Sequence, residues 1–167
     1  MSENEGIKLL KNRRSIRKFE DRPIEDEILT QIFEAARWTF SAVNKQPWKL
    51  IVIRNKEMIA KVASELTSGR FASKAPVLVA LVGDTNIQPE WHIHDLSFLS
   101  LQLILAAWTF GIGSCWIGYI KRDNVKELLN LKDKDHVLTV LPLGYPKGNI
   151  PKAPPRKSLN EIIKYID

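Results

Sequence analysis

The chain has 167 residues, a formal net charge of +6, 44% apolar and 26% charged residues, which excludes disorder and fibrous classes and fits one domain, 1–167, with a real core. One cysteine, Cys115, excludes an intramolecular disulfide, and three histidines exclude a zinc-type ligand cluster. No charged start followed by a long apolar region opens the chain, so no secretory leader is expected and the expected compartment is the reducing cytosol.

A short helix is expected over about Ile7 to Asn12. It runs into KNRRSIRKF, which carries five cations in its first eight residues and no acid. In DRPIEDEILTQIFEAARWT, Pro23 suits a first helical position and Glu25, Asp26 and Glu27 suit the positive end of a helix dipole. Ile24, Ile28, Leu29, Ile32, Phe33 and Ala36 recur at steps of three and four, which predicts an amphipathic helix ending near Trp38. WKLIVIRN reads as a buried strand, KEMIAKVASEL as a helix and APVLVALVGD as a second buried strand.

The segment from Leu96 to Phe110 is apolar on nearly every face. Ser97, Ser100 and Gln102 interrupt it and His92, His94 and Asp95 precede it, so it reads as a buried helix and not a membrane span. A small domain rarely encloses such a helix alone, so a partner subunit is its expected cover. SCWIGYI reads as strand-like, RDNVKELLNL as a helix with Asp123 near its start, and HVLTVLPLGYP as a strand closing in a turn at Gly144 to Pro146. Pro151, Pro154 and Pro155 enforce an extended path before a last short helix. Helices and strands alternate, which places the chain in the α+β or α/β class.

Three stretches carry chemistry. In an extended basic run, Arg13, Ser15 and Arg17 share one face while Arg14 and Lys18 point away, and forked guanidinium donors beside a hydroxyl suit a phosphate. SAVNKQPWKL sets Ser41, Asn44 and Gln46 two to three residues apart on a loop, a pattern suited to the polar edge of a heterocycle. GIGSCWIGYI places Gly111, Gly113 and Gly118 around Trp116, where backbone can approach a ligand closely. It follows a helix and lacks the spacing of a dinucleotide fingerprint. The bland readings are a solvated charged face, an ordinary polar loop and a helix cap. His92 and His94 are poorly spaced to chelate, so no metal is expected.

Together RRSIRKF, RPIEDEILTQIFEAARW, SAVNKQPW, KAPVLVALVGD, the apolar helix, GIGSCWIG, LPLGYP and PPRKSLNEII resemble, in order and spacing, the FMN-dependent nitroreductase family over nearly the whole chain. The resemblance implies an α+β fold, a three-layer α/β/α sandwich around a central, mostly antiparallel sheet. It implies FMN as cofactor, with Arg13, Arg14, Ser15 and Arg17 lining its phosphate and ribityl chain and Arg156 and Lys157 approaching the same phosphate. Ser41, Asn44 and Gln46 match the loop that lies along the flavin from the other subunit of a homodimer, and Trp116, Ile117 and Gly118 the segment whose backbone reaches the N5/O4 side. Phe40 departs from the pattern, since many relatives have proline before that serine.

The resemblance further implies hydride transfer from NADH or NADPH through flavin N5 to a nitroaromatic, quinone or similar small acceptor, by a ping-pong cycle and without a catalytic triad. Phe71, Trp91 and His92 are the candidate acceptor cover, in connections that vary. Arg17, Arg70 and Lys74 are the candidate cations near N1/O2. The competing readings are a dehalogenase-type or other non-reductase member of the same family, and a flavin-free nucleic-acid module built on Lys11 to Lys18. The reductase reading implies no nucleic-acid partner and no membrane partner.

Overall fold

The computed structural model describes residues 4–166. It contains α1 (Glu5–Asn12), α2 (Asp26–Arg37), β1 (Trp48–Ile53), α3 (Lys56–Ser64), β2 (Val77–Asp84), α4 (His92–Thr109), β3 (Gly113–Ser114), α5 (Arg122–Leu128) and β4 (Asp135–Gly144), with short 3₁₀ turns at Ala42–Asn44, Arg70–Lys74 and Leu159–Glu161.

The four strands are ordered β1-β2-β4-β3 and every ladder is antiparallel. β2 is central and all but its last residue is buried, which is why APVLVALVGD shows a continuous apolar run and no alternation. Its side chains alternate between two cores. Leu78, Ala80 and Val82 face α3, the 70–74 turn and α5, while Val77, Val79 and Leu81 face α2 and α4. This is the α/β/α layering with an antiparallel sheet that the family resemblance implies.

Several local expectations change. β1, expected to be buried, is an edge strand with only Ile53 buried, and α2 starts at Asp26, three residues after the Pro23 expected to open it. α4 begins at His92, four residues ahead of the apolar run, because its polar first turn is itself packed. A Cβ at Gly83 of β2 would come within 2.7 Å of Leu96, so the helix lies tightly on that strand. Nor is α4 enclosed by its own chain: Leu96, Leu99, Leu103 and Ala107 are buried, while Phe98 and Leu101 face outward.

SCWIGYI enters the main sheet only through Ser114. Its far end pairs elsewhere, with Thr67 N donating to Tyr119 O at 3.0 Å and Lys121 N to Glu65 O at 3.0 Å, so the run's apolar residues bridge two parts of one core instead of extending a ladder. The expected last helix is the three-residue turn Leu159–Glu161, capped by Ser158 and Glu161 and exposed throughout.

On β4, His136 sits with its ring edge-on to His92, centroids 5.1 Å apart. Burial, then the neighbouring charges of His92, Arg122 and Lys126, hold its pKa below the ordinary imidazole value. The unfolded chain therefore takes up a proton that the folded chain resists. Stability contributed by neutral His136 is complete above about pH 6.5 and lost as pH falls below it. The melting temperature should drop between about pH 7 and about pH 5, and His136→Gln should flatten that drop; superimposable curves for the two proteins would refute the assignment.

Candidate functional site

The basic run is held by its apolar members. Ile16 and Phe19 are buried, and a Cβ at Gly113 would lie 2.4 Å from Ile16 Cγ1, so glycine is what lets the run lie against β3. Ile16 N donates to Ser114 O at 2.8 Å, and Ser15 bridges Ser114 in parallel. With those side chains inward, Arg17 and Lys18 are exposed and Arg13 and Ser15 half-buried.

The Cys115 thiol is buried beside the basic run. Burial pushes the Cys115 pKa up, while the Arg17 charge, Ser15 and the Arg13 charge pull it the other way. Arg14 does not simply point away. Its Nη1 donates to Lys11 O at 2.7 Å and Arg13 O at 2.8 Å, closing the end of α1, and its Nε is buried with no hydrogen-bond partner among the described residues.

Phe71 lies at the same place, its ring centroid 6.0 Å from the Arg17 guanidinium carbon. Arg17 and Lys74 also line one cavity, and Arg70, although in the same 3₁₀ turn as Lys74, is not part of its wall. Of the three candidate cations, these two are the ones brought together.

The Cys115 to Gly118 segment is pinned from below. Ile117 is buried, its carbonyl accepts from Thr139 Oγ1 at 2.9 Å, and Arg122 donates to Val137 O at 3.0 Å and, at 3.5 Å, to Gly118 O. Trp116 and Gly118 are exposed, and a Cβ at Gly118 would meet nothing within 4 Å. The backbone there is open to a ligand from outside. Thr139 and Arg122 escaped the sequence reading, since neither falls in a recognisable motif.

The chain leaves β4 beside the basic run, with Glu20 N donating to Tyr145 O at 2.9 Å and Lys147 N to Lys18 O at 3.0 Å. Arg156 and Lys157 lie farther along the exposed tail. Among the described residues no hydrogen bond or ion pair ties either of them to the run, and Arg156 Nη1 donates only to Pro155 O, at 3.1 Å.

The Ser41–Gln46 loop is built differently. Val43, Asn44 and Gln46 all have positive φ, at 53°, 54° and 49°, which for a β-branched valine is a strained backbone. Ser41 Oγ accepts from Gln46 N at 2.9 Å, and Gln46 Nε2 donates to Asn44 O at 3.2 Å. Asp95, 2% exposed in the first turn of α4, accepts from Ala42 N at 2.9 Å through Oδ1.

Trp91 precedes α4 at this same end, exposed, with its ring tilted against His94 at 5.2 Å between centroids. His92 is corrected from a residue of a variable connection to the first residue of α4. It is 7% exposed, with Nδ1 at 2.9 Å from Gln88 O, so it packs under the helix and offers no face to an acceptor.

These two groups of residues are far apart in one chain. The basic run lies by β3 and the Val77 end of β2, whereas the 41–46 loop precedes Trp48, which pairs with Gly83 at the opposite end. The eight residues of β2 span about 23 Å at about 3.3 Å per step. They also sit at opposite edges of the sheet. Neither Arg13 nor Arg17 meets its own chain's Asn44.

Forked cations beside a hydroxyl, a buried unpartnered guanidinium nitrogen and an open backbone at Gly118 fit a flavin mononucleotide, which asks for anion donors at one end and backbone groups at a ring edge at the other. A family model described as "Putative TM nitroreductase" matches residues 5–167. The chain belongs to the nitroreductase family. A relative of this nitroreductase-family chain in Methanothermobacter thermautotrophicus, called "Putative NADH dehydrogenase/NAD(P)H nitroreductase", is 36% identical over 155 residues, covering 89% of this chain and 81% of the relative.

Among solved structures, a "Putative NADH dehydrogenase/NAD(P)H nitroreductase" from Parabacteroides distasonis superposes with a TM-score of 0.90 at 28% identity, covering 98% of both chains. An "FMN-dependent Nitroreductase" from Clostridium difficile superposes at 0.87 with 29% identity, covering 96% of this chain and 98% of that one. Among the described residues, no helix is long and apolar enough to cross a membrane.

Proposed function

We propose that this chain is an NAD(P)H-dependent FMN oxidoreductase that works as a homodimer and reduces a small acceptor of the nitroaromatic or quinone kind. The observation that carries this reading is the division of the site: the phosphate-type donors and the heterocycle-type loop of one chain sit at opposite ends of its sheet. A second copy would bring its Ser41, Asn44 and Gln46 to the first copy's Arg13, Ser15 and Arg17.

Bound FMN would supply the redox chemistry, a two-electron exchange between nicotinamide and acceptor. The protein's part is positioning and charge. Arg13, Arg14, Ser15 and Arg17 hold the phosphate and ribityl chain, with Arg156 and Lys157 reaching the phosphate from the tail. Trp116, Ile117 and Gly118 present backbone to the ring edge. Arg17 and Lys74 place positive charge where an anionic reduced ring would need it. Phe71 and the partner's Trp91 offer apolar cover over the acceptor, and the whole of 1–167 acts as one domain.

The purified protein should be yellow and release about one FMN per chain on heating. NADH or NADPH added without oxygen should bleach the flavin band, and a quinone should restore it. Bleaching by neither nicotinamide would move the reading to a dehalogenase-type or other non-reductase member. A colourless protein that binds duplex with strong salt dependence would replace it by a nucleic-acid module.

A further inference from the structure

A cavity of about 1050 Å³ opens at the Val77 end of the sheet, outside the paired residues of the candidate flavin site but sharing Arg17 and Lys74 with it. Its other walls come from the segment leading into α2, the β1–α3 connection and the chain leaving β4. The floor is apolar, formed by Ile24, Ile59, Ala75 and Pro76.

The walls are strongly positive. Arg17, Lys18, Lys56, Lys74 and Lys147 line the cavity with no ion-pair partner among the described residues. Two further cations are engaged: Arg54 pairs with Asp26 at 2.6 Å, and Arg22 pairs with Glu25 and stacks 3.9 Å from the Tyr145 ring centroid. Asp21 and Asp26 are the only carboxylates in its lining.

With Arg17 and Lys74 assigned to the flavin, three uncompensated cations from three separate segments, Lys18, Lys56 and Lys147, are left facing the cavity; they ask for more than a single phosphate, and an apolar floor asks for something flat. We propose that this cavity takes the ADP half of the nicotinamide dinucleotide, so that Lys18, Lys56 and Lys147 receive its phosphates and Ile59, Ala75 and Pro76 support the adenine. This rests on the oxidoreductase reading above. Arg17 and Lys74 join the two sites, so a dinucleotide anchored here enters the flavin site from the side where those cations lie. The cavity is concave and walled on several sides, which suits a compact dianion better than the cylinder of a duplex.

The test uses the flavin-loaded protein and two hydride donors. The double variant Lys56→Glu, Lys147→Glu should raise the KM for NADH and NADPH about tenfold or more. The KM for 1-benzyl-1,4-dihydronicotinamide, which carries no phosphate and no adenine, should stay unchanged, as should flavin content and sedimentation. Lys56→Arg, Lys147→Arg should restore the dinucleotide KM.

An unchanged KM for the dinucleotides overturns the proposal and leaves the oxidoreductase reading intact. So does a parallel loss with both donors, which would locate the damage at the flavin, or a loss of dimer, which would mean that a second copy fills the cavity. If neither donor bleaches the wild-type flavin, the oxidoreductase reading falls and takes this proposal with it.

Discussion

Leu101→Glu should give a folded monomer without FMN. Leu101 is 53% exposed on the outer face of α4, where Phe98 and, stacked on it at 4.4 Å, Phe40 continue the apolar surface. Trp38 at the end of α2 and Ile7 and Leu10 on α1 are exposed as well. The tail adds Leu159, Ile162, Tyr165 and Ile166, exposed apolar residues that belong to neither core cluster.

At about 25 cal/mol per Å², covering surface of this kind is worth enough to make the association permanent. A buried, unpaired carboxylate at its centre would cost several kcal/mol. The position matters. Leu103, two residues on, is 0% exposed, and a charge there would breach the chain's own core instead of the interface.

Sedimentation, circular dichroism and the ratio of flavin to protein absorbance separate the outcomes. Monomer, native helix content and lost flavin should appear together, because each pocket would lack the loop of its neighbour. A monomer that keeps stoichiometric FMN would show that one chain holds the cofactor alone. An intact flavin-loaded dimer would show that this face is not the interface.

The fold was legible where one kind of local signal acted alone. The acids and the three-to-four spacing place α2, although the helix starts at Asp26 with Glu25 as its cap and Pro23 stands ahead of it, and the run from Val77 to Val82 reads as a buried strand because both of its faces are covered. The start of α4 was not legible, since His92 and Asp95 look like surface residues but are buried, His92 against Gly83 and Asp95 under the loop at Ala42. SCWIGYI has strand-like composition, and only its tertiary partners reveal that the ladder stops at Ser114.

The site divides in the same way. Alternation along an extended run predicts that Arg13, Ser15 and Arg17 share a face, and all three act on the Cys115 thiol. It sets Arg14 off that face but does not reveal where the guanidinium goes, back to the carbonyls at the end of α1. The left-handed backbone at Val43 has no signature, because valine is among the residues least suited to it. Asp95 was invisible as a site residue, since its bond to Ala42 spans 53 positions.

That bond supports the second large effect: Asp95→Ala should weaken FMN binding by about ten- to a hundredfold, the worth of a charge-assisted hydrogen bond of about 1.5–3 kcal/mol. Three consecutive-region residues at positive φ will not hold their shape without outside support. Within the loop Ser41 Oγ, the Asn44 groups and the backbone carbonyls of Ser41, Ala42 and Gln46 accept bonds, and Asp95 ties the loop to α4. Its second oxygen, Oδ2, is buried with no partner among the described residues, so the carboxylate carries a desolvation cost that only its grip on Ala42 N–H offsets. Asp95→Asn keeps an oxygen for that N–H and removes the charge. Its affinity should fall between the wild type and Asp95→Ala. FMN titration of the dimer, beside melting curves of the flavin-free forms, distinguishes positioning from mere packing. If all three proteins bind FMN equally and differ only in melting temperature, Asp95 supports the fold and not the loop.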